Sequence, residues 1–152
     1  EPLVHGAGHE SGRRAGTESA LLIAGLGEAA RLASDLSDTD LIRSLRDRLF
    51  DVLQRHFGDD LVLNGHPDKR LPNTLNVSFV GRRGNDVLNR LDGVAASTGS
   101  ACHADRIEIS PVLAAMGVSD AVGAGAVRFS LGRGTTAADI ESIAARVAQW
   151  RD

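Results

Sequence analysis

Three features of this sequence predict an α+β fold, with a small sheet of about four strands and helices on one face. Apolar residues recur at helical spacing in two places, from Leu21 to Leu53 and from Ile140 to Trp150. Between them lie short runs of strand character, of which Thr74-Leu75-Asn76-Val77-Ser78-Phe79-Val80 alternates polar and apolar with period two. Turn residues end these runs, Asn64-Gly65 after Leu61-Val62-Leu63 and Gly132 after Leu131.

Residues 1–17 are glycine-rich and carry no apolar period, so they read as a loop. Arg13, Arg14 and Thr17 stand among its glycines, where guanidinium groups and a hydroxyl could converge on an anion such as phosphate; a solvated basic loop is the alternative. His5 and His9 are four apart, but no helical pattern sets them on one face, and no metal site is expected. Thr17 is placed to cap the helix that follows. Its stripe runs Leu21, Leu22, Ala24, Leu26, Ala29, Ala30, Leu32, Ala33 and Leu36, diluted by Gly25 and Gly27. After a polar stretch the stripe resumes as Leu41, Leu45, Leu49, Val52, Leu53 and His56, closed by Gly58. Two helices, or one long bent helix, fit equally well.

Strand candidates come next at Leu61–Leu63, Thr74–Val80, Val94–Ala96 and Ala126–Leu131. Asn85 or Asp86 can cap a short helix through Leu91, and Pro111 suits the first position of another ending at Met116. A further helical turn fits Ser119 to Ala124. Thr136 with Asp139 resembles a capping box ahead of Ile140, Ile143, Ala144, Val147 and Trp150.

Composition bounds the function. A chain of 152 residues is one domain or slightly more, and 42% hydrophobic with 24% charged residues is ordinary for a globular protein. The formal charge of −3 gives no electrostatic case for nucleic acid or an anionic membrane as partner. One cysteine excludes an internal disulfide framework and fits a reducing cytoplasm. No apolar run approaches the ~20 residues needed to span a bilayer.

That cysteine, Cys102, sits in Ala96-Ser97-Thr98-Gly99-Ser100-Ala101-Cys102-His103-Ala104-Asp105, among residues of little bulk. Small neighbours let the backbone lie close to a substrate, and segment 97–110 reads as a mobile loop. A nucleophilic thiol and a spectator cysteine in a surface turn both remain open on these residues alone. Arg128, in an alternating strand, has the wet face of a sheet as its ordinary place.

Four blocks in order carry a resemblance along essentially the whole chain. They are His5-Gly-Ala-Gly-His9-Glu10-Ser-Gly-Arg13-Arg14-Ala-Gly16-Thr17-Glu18, Leu71-Pro72-Asn73-Thr74-Leu75-Asn76-Val77-Ser78, Ser97-Thr98-Gly99-Ser100-Ala101-Cys102 and Val127-Arg128-Phe129-Ser130-Leu131-Gly132-Arg133. Together they resemble the C-terminal part of the cysteine desulfurases and selenocysteine lyases, pyridoxal-phosphate (PLP) enzymes of the class V aminotransferase superfamily. The resemblance implies the small C-terminal domain of a fold-type I PLP-dependent transferase. Residues 1–17 would then be an active-site loop of the large domain, and 18–152 the small domain. It also implies a homodimer acting on cysteine or selenocysteine, with sulfur passed to acceptors such as iron–sulfur scaffold proteins.

By the same resemblance, Cys102 matches the catalytic cysteine, whose thiolate takes sulfur as a persulfide and leaves alanine. Arg128 matches the arginine that binds the substrate carboxylate. Thr17 matches a residue reaching the cofactor phosphate of the other subunit, and Arg14 would line the same site. The family's triple glycine reads Gly6-Ala7-Gly8 here, and Ser19 stands where asparagine often follows Thr-Glu. The lysine that holds PLP lies in a Ser-His-Lys context found nowhere in this sequence, and Lys69, the only lysine, has the wrong setting. The chain by itself is therefore expected neither to hold PLP covalently nor to turn over cysteine, and its Leu21–Leu36 face to pack against a large domain beyond it. Two other readings are a standalone sulfur-relay module working without PLP, and a class V relative in which Cys102 is incidental.

Overall fold

The computed structural model of the chain describes residues 1–98 and 109–150. Its contacts divide the chain into two units, Glu1–Ser37 and Asp38–Asp152. The first unit holds both the glycine-rich loop and the first helix.

In the first unit the loop folds back on itself through a bridge between His9 and Arg14. Its turn sets Glu10, Ser11 and Gly12 in the left-handed region, at φ 52°, 57° and 82°. For the two non-glycine residues that conformation costs on the order of 1 kcal/mol or more each. Helix α1, Ala20–Ala33, is capped by Ser19 rather than Thr17, since the capping oxygen must come from the residue directly before the first turn; Ser19 Oγ accepts from the Leu22 N–H at 3.4 Å. Ser34 ends the helix, its Oγ donating to the Ala30 carbonyl at 3.0 Å. The polar stretch therefore separates two helices. Leu21, Leu22, Ile23, Leu26, Leu32 and Leu36 are all exposed, and α1 buries no residue.

The second unit begins with helix α2, Thr39–Phe57, which presents Leu45, Leu49 and Leu53 to the core. Leu41 and His56, read as part of the same stripe, are exposed at its ends. The sheet has three strands among the described residues: β1 Leu61–Leu63, β2 Thr74–Phe79 and β3 Ala126–Ser130, antiparallel in the order β1–β2–β3. Leu75 lies opposite Phe129 and Val77 opposite Val127, so these residues share one face with Phe79. That face closes on α2, on Val87 of helix α3 (Gly84–Arg90) with nearby Leu91, and on Ile140, Ile143 and Val147 of helix α6 (Ala137–Val147). Two short helices, α4 Pro111–Ala115 and α5 Asp120–Gly123, precede β3.

The expected fourth strand at Val94–Ala96 does not form. Gly93, at φ 73°, and the Val94 N–H, bonded to the Leu91 carbonyl at 3.0 Å, belong to the turn leaving α3. Among the described residues of this stretch, Ser97 then meets β3 as a bridge to Arg128. Helix α3 also starts earlier than Asn85 or Asp86 would cap it. Its first residue, Gly84, is buried, and a Cβ there would stand 2.7 Å from the Ala126 carbonyl oxygen and 2.9 Å from Thr98 Cγ2. Only glycine lets this turn sit so tightly on β3.

Helix α6 carries the capping box read from Thr136 and Asp139. Thr136 N–H and Oγ1–H both donate to Asp139 Oδ2 at 2.8 Å, and these bonds hold the Asp139 carboxyl below its ordinary value of 3.8. A depressed carboxyl stabilises the fold above the unfolded value and loses that contribution as pH falls through the folded one. The thermal midpoint is thus expected to drop on acidification below pH 3.8 by more in the wild type than in Asp139→Asn, measured by circular dichroism across that range.

Candidate functional site

Arg128 sits mid-strand in β3 on the face opposite the core, and it is exposed. Its backbone is spent outward: its N–H donates to the Ser97 carbonyl at 2.7 Å, and its carbonyl accepts from the Ser97 N–H at 3.1 Å. Opposite it on the inner side stands Asn76 of β2. The Asn76 carbonyl in turn accepts from the Asn64 N–H at 2.9 Å, on the β1 side. Asn76 and Arg128 therefore form a pair without mutual backbone bonds, the kind whose Cα atoms lie about 4.5 Å apart and whose side chains come closest.

This polar face has its own support. Asn64, 8% exposed, donates from Nδ2 to Asn76 Oδ1 and to Ser78 Oγ, both at 2.8 Å. Its own Oδ1 is buried without a partner among the described residues. The reversed amide would orphan two N–H groups instead of one carbonyl, and each orphan costs about 1–3 kcal/mol, so the observed orientation is favoured. Asn76 Oδ1 is thereby fixed as the acceptor, which turns its NH2 away from Asn64.

The segment bearing Cys102 leaves from this face. Ser97 is tied to Arg128 as above, Thr98 lies over Gly84, and Ile109 packs so closely on Gly123 of α5 that a Cβ there would meet Ile109 Cδ1. Cys102 lies outside the described residues, as do His103 and Asp105. Both ends of the segment read as the mobile cysteine loop are thus anchored in the second unit, one of them to Arg128 itself.

Arg14 and Thr17 belong to the first unit. Arg14 turns its guanidinium onto its own segment, donating to the Gly16 carbonyl at 2.8 Å, to the Ala15 carbonyl at 3.3 Å and to the Glu18 carboxylate. These bonds brace the loop. Thr17 is exposed beside Gly16, whose φ is 100°. Its hydroxyl and the adjacent backbone are of a kind that can meet an anion such as a phosphate oxygen. Lys69 is exposed in a loop whose backbone, at Asp68 and Lys69, donates to His66 Nδ1 at 3.0 Å for both bonds.

Sequence reasoning missed a second polar cluster. Arg46, 4% exposed, lies within the apolar stripe of α2, donating to the Leu71 carbonyl at 2.8 Å and to Asp47. Arg70 reaches the same carboxylate at 3.4 Å and sits over the Phe50 ring. Burial first, then the neighbouring Arg46, pushes the Arg70 guanidinium below its usual value. These groups pin the Leu71-Pro72-Asn73 turn that delivers the chain into β2. The one available sign was an arginine beside Leu45 in an otherwise apolar row.

The sequence profile described as Aminotransferase class-V matches residues 4–143. "Cysteine desulfurase IscS" of Acinetobacter baumannii (strain AYE) is 42% identical over 142 residues, which is 92% of this chain and 35% of that protein. The protein of the same name from Enterobacter sp. (strain 638) is 41% identical over 143 residues, 93% of this chain and 35% of that protein. A solved structure titled "NIFS-LIKE PROTEIN" superposes with a TM-score of 0.80 at 30% identity, over 96% of this chain and 37% of that one. A NifS-like protein from Rickettsia africae gives 0.78 at 28% identity, over 96% and 38%. The chain thus spans about a third of the length of these relatives. With the profile matched over nearly its whole length, the chain belongs to the aminotransferase class-V family.

Proposed function

We propose that this chain is the C-terminal part of a PLP-dependent cysteine desulfurase, in which Cys102 is the nucleophile and Arg128 receives the α-carboxylate of L-cysteine. The observation that carries the reading is the two-bond bridge between Ser97 and Arg128. It ties the start of the cysteine segment to the arginine strand, and five residues of chain reach at most about 17 Å. A thiol on that tether can approach an amino acid whose carboxylate is held at Arg128. The names of the relatives support the same chemistry.

When bound, PLP serves as the electron sink for the substrate carbon. This chain's part is nucleophilic and electrostatic. The guanidinium of Arg128 pairs with the carboxylate in a charge-assisted fork and fixes the orientation of the side chain bearing sulfur. The Cys102 thiolate attacks that sulfur; an S–S bond forms and the substrate C–S bond breaks, its electron pair staying with carbon, which a proton completes as the methyl group of alanine. Cys102 is left as a persulfide, ready for a sulfur-accepting protein such as an iron–sulfur scaffold. Thr17, reaching across a homodimer, would meet the cofactor phosphate, and the lysine that holds the cofactor would come from polypeptide beyond this chain.

The complete gene product supplied with PLP and L-cysteine is expected to form alanine and to gain one sulfur atom on the peptide containing Cys102, read by mass spectrometry before and after reduction. Alanine without sulfur on Cys102 would overturn the nucleophile's assignment, and no alanine at all would overturn the desulfurase reading.

A further inference from the structure

The geometry points to Asn76 as a second recognition residue for the substrate carboxylate, donating an amide N–H beside the Arg128 guanidinium, with Asn64 as its positioning residue. The inference rests on the proposed role of Arg128 and deepens it. The two residues are opposite each other in the β2–β3 register, and neither spends its backbone on the other, so their side chains rise together from one face. An arginine alone fixes one edge of a carboxylate. An amide donor next to it gives the anion a second, differently directed bond, which restricts rotation about the Cα–carboxylate axis.

An asparagine amide can present either oxygen or nitrogen, and oxygen would repel the anion. Here the choice is made by the protein. Asn64 Nδ2 holds Asn76 Oδ1 at 2.8 Å, and Asn64 is itself fixed by a second bond to Ser78 Oγ at 2.8 Å. Asn64 is nine-tenths buried and keeps an unsatisfied Oδ1, an arrangement that a sheet gains nothing from unless the orientation it imposes matters. The side facing Arg128 is left with N–H donors.

The test is kinetic, on the complete holoenzyme, with L-cysteine against L-cysteinamide, which lacks the carboxylate. Asn76→Ala is expected to raise KM for cysteine about tenfold, as for one lost charge-assisted hydrogen bond, with kcat little changed and with cysteinamide kinetics unaltered. Asn76→Ser, which keeps a short donor, should recover part of the loss. Arg128→Ala serves as the reference for carboxylate-specific loss. If it raises KM for cysteine alone while Asn76→Ala does nothing, or harms both substrates equally, the inference fails and the Arg128 reading stands. If Arg128→Ala shows no carboxylate-specific effect, both fall. A readout without turnover comes from this chain itself: the Asn76 side-chain amide resonance should shift on titration with L-alanine, and an unmoved resonance at saturation of the Arg128 signals would likewise overturn the proposal.

Discussion

Cys102→Ser in the complete gene product is expected to lower alanine formation from L-cysteine by on the order of 10³-fold or more, with KM for cysteine nearly unchanged. The size follows from the nucleophile. An ordinary thiol is only a few per cent ionised at neutral pH, but its anion is strongly nucleophilic, whereas a serine hydroxyl is almost wholly protonated and attacks a thiol sulfur poorly. A 10³-fold loss corresponds to about 4 kcal/mol of barrier. The unchanged KM follows from the division of labour: Arg128, on a strand whose backbone is bonded on both sides, is untouched by the change. Turnover at the wild-type rate would remove Cys102 from the chemistry and leave a class V enzyme with an incidental thiol.

The two residues that matter most in that experiment were legible to different degrees. Cys102 stood out through scarcity, a single cysteine in a run of small residues. Arg128 did not, since an arginine at an alternating position is ordinary on a solvated strand face, and an exposed strand face is where it lies. What raises it above the ordinary is the bridge to Ser97, a contact between residues far apart in sequence that no local period encodes. Asn76 and Asn64 were hidden for the same reason. Each looks like a strand or turn asparagine, and their meaning arises only when register sets them side by side.

Elements with strong local signals came out as the sequence implied: the middle of the α2 stripe at Leu45, Leu49 and Leu53, the β2 alternation and the Thr136–Asp139 box. The departures occur where tertiary contacts decide. Val94–Ala96 has strand-like composition, but the turn at Gly93 consumes its first residues. Gly84 opens a helix without a capping side chain because close approach to β3 outweighs the cap. Arg46 is buried inside an apolar stripe because the Leu71 carbonyl and Asp47 satisfy its donors there. Each case trades a local preference for a contact visible only in three dimensions.

The largest stability effect is expected from Phe79→Ala. Phe79 is 1% exposed and ends β2 where three aromatic rings meet: Phe57 of α2 stands edge-on at 5.0 Å between centroids, and Trp150 lies at 6.4 Å. Truncation loses the transfer of a benzyl group and leaves a void that α2, β2 and the end of α6 border together, for which about 3–5 kcal/mol is the ordinary cost. A domain stable by only about 5–15 kcal/mol would keep a fraction of that. The loss is difficult to relax, because Phe79 is held from both sides of its backbone: its N–H donates to the Gly125 carbonyl at 3.0 Å, and Leu61 pairs opposite it. Gly125 packs against the same strand end so closely that a Cβ added there would stand 2.1 Å from the Phe79 carbonyl oxygen. Urea unfolding followed by tryptophan fluorescence reads this directly, as Trp150 is the sole tryptophan and borders the void. Phe79→Leu, which refills most of the space, should recover more than half of the loss. A shift of less than about 1 kcal/mol for Phe79→Ala would mean that the aromatic corner does not anchor helix to sheet, and that the rest of the cluster holds α2 on its own.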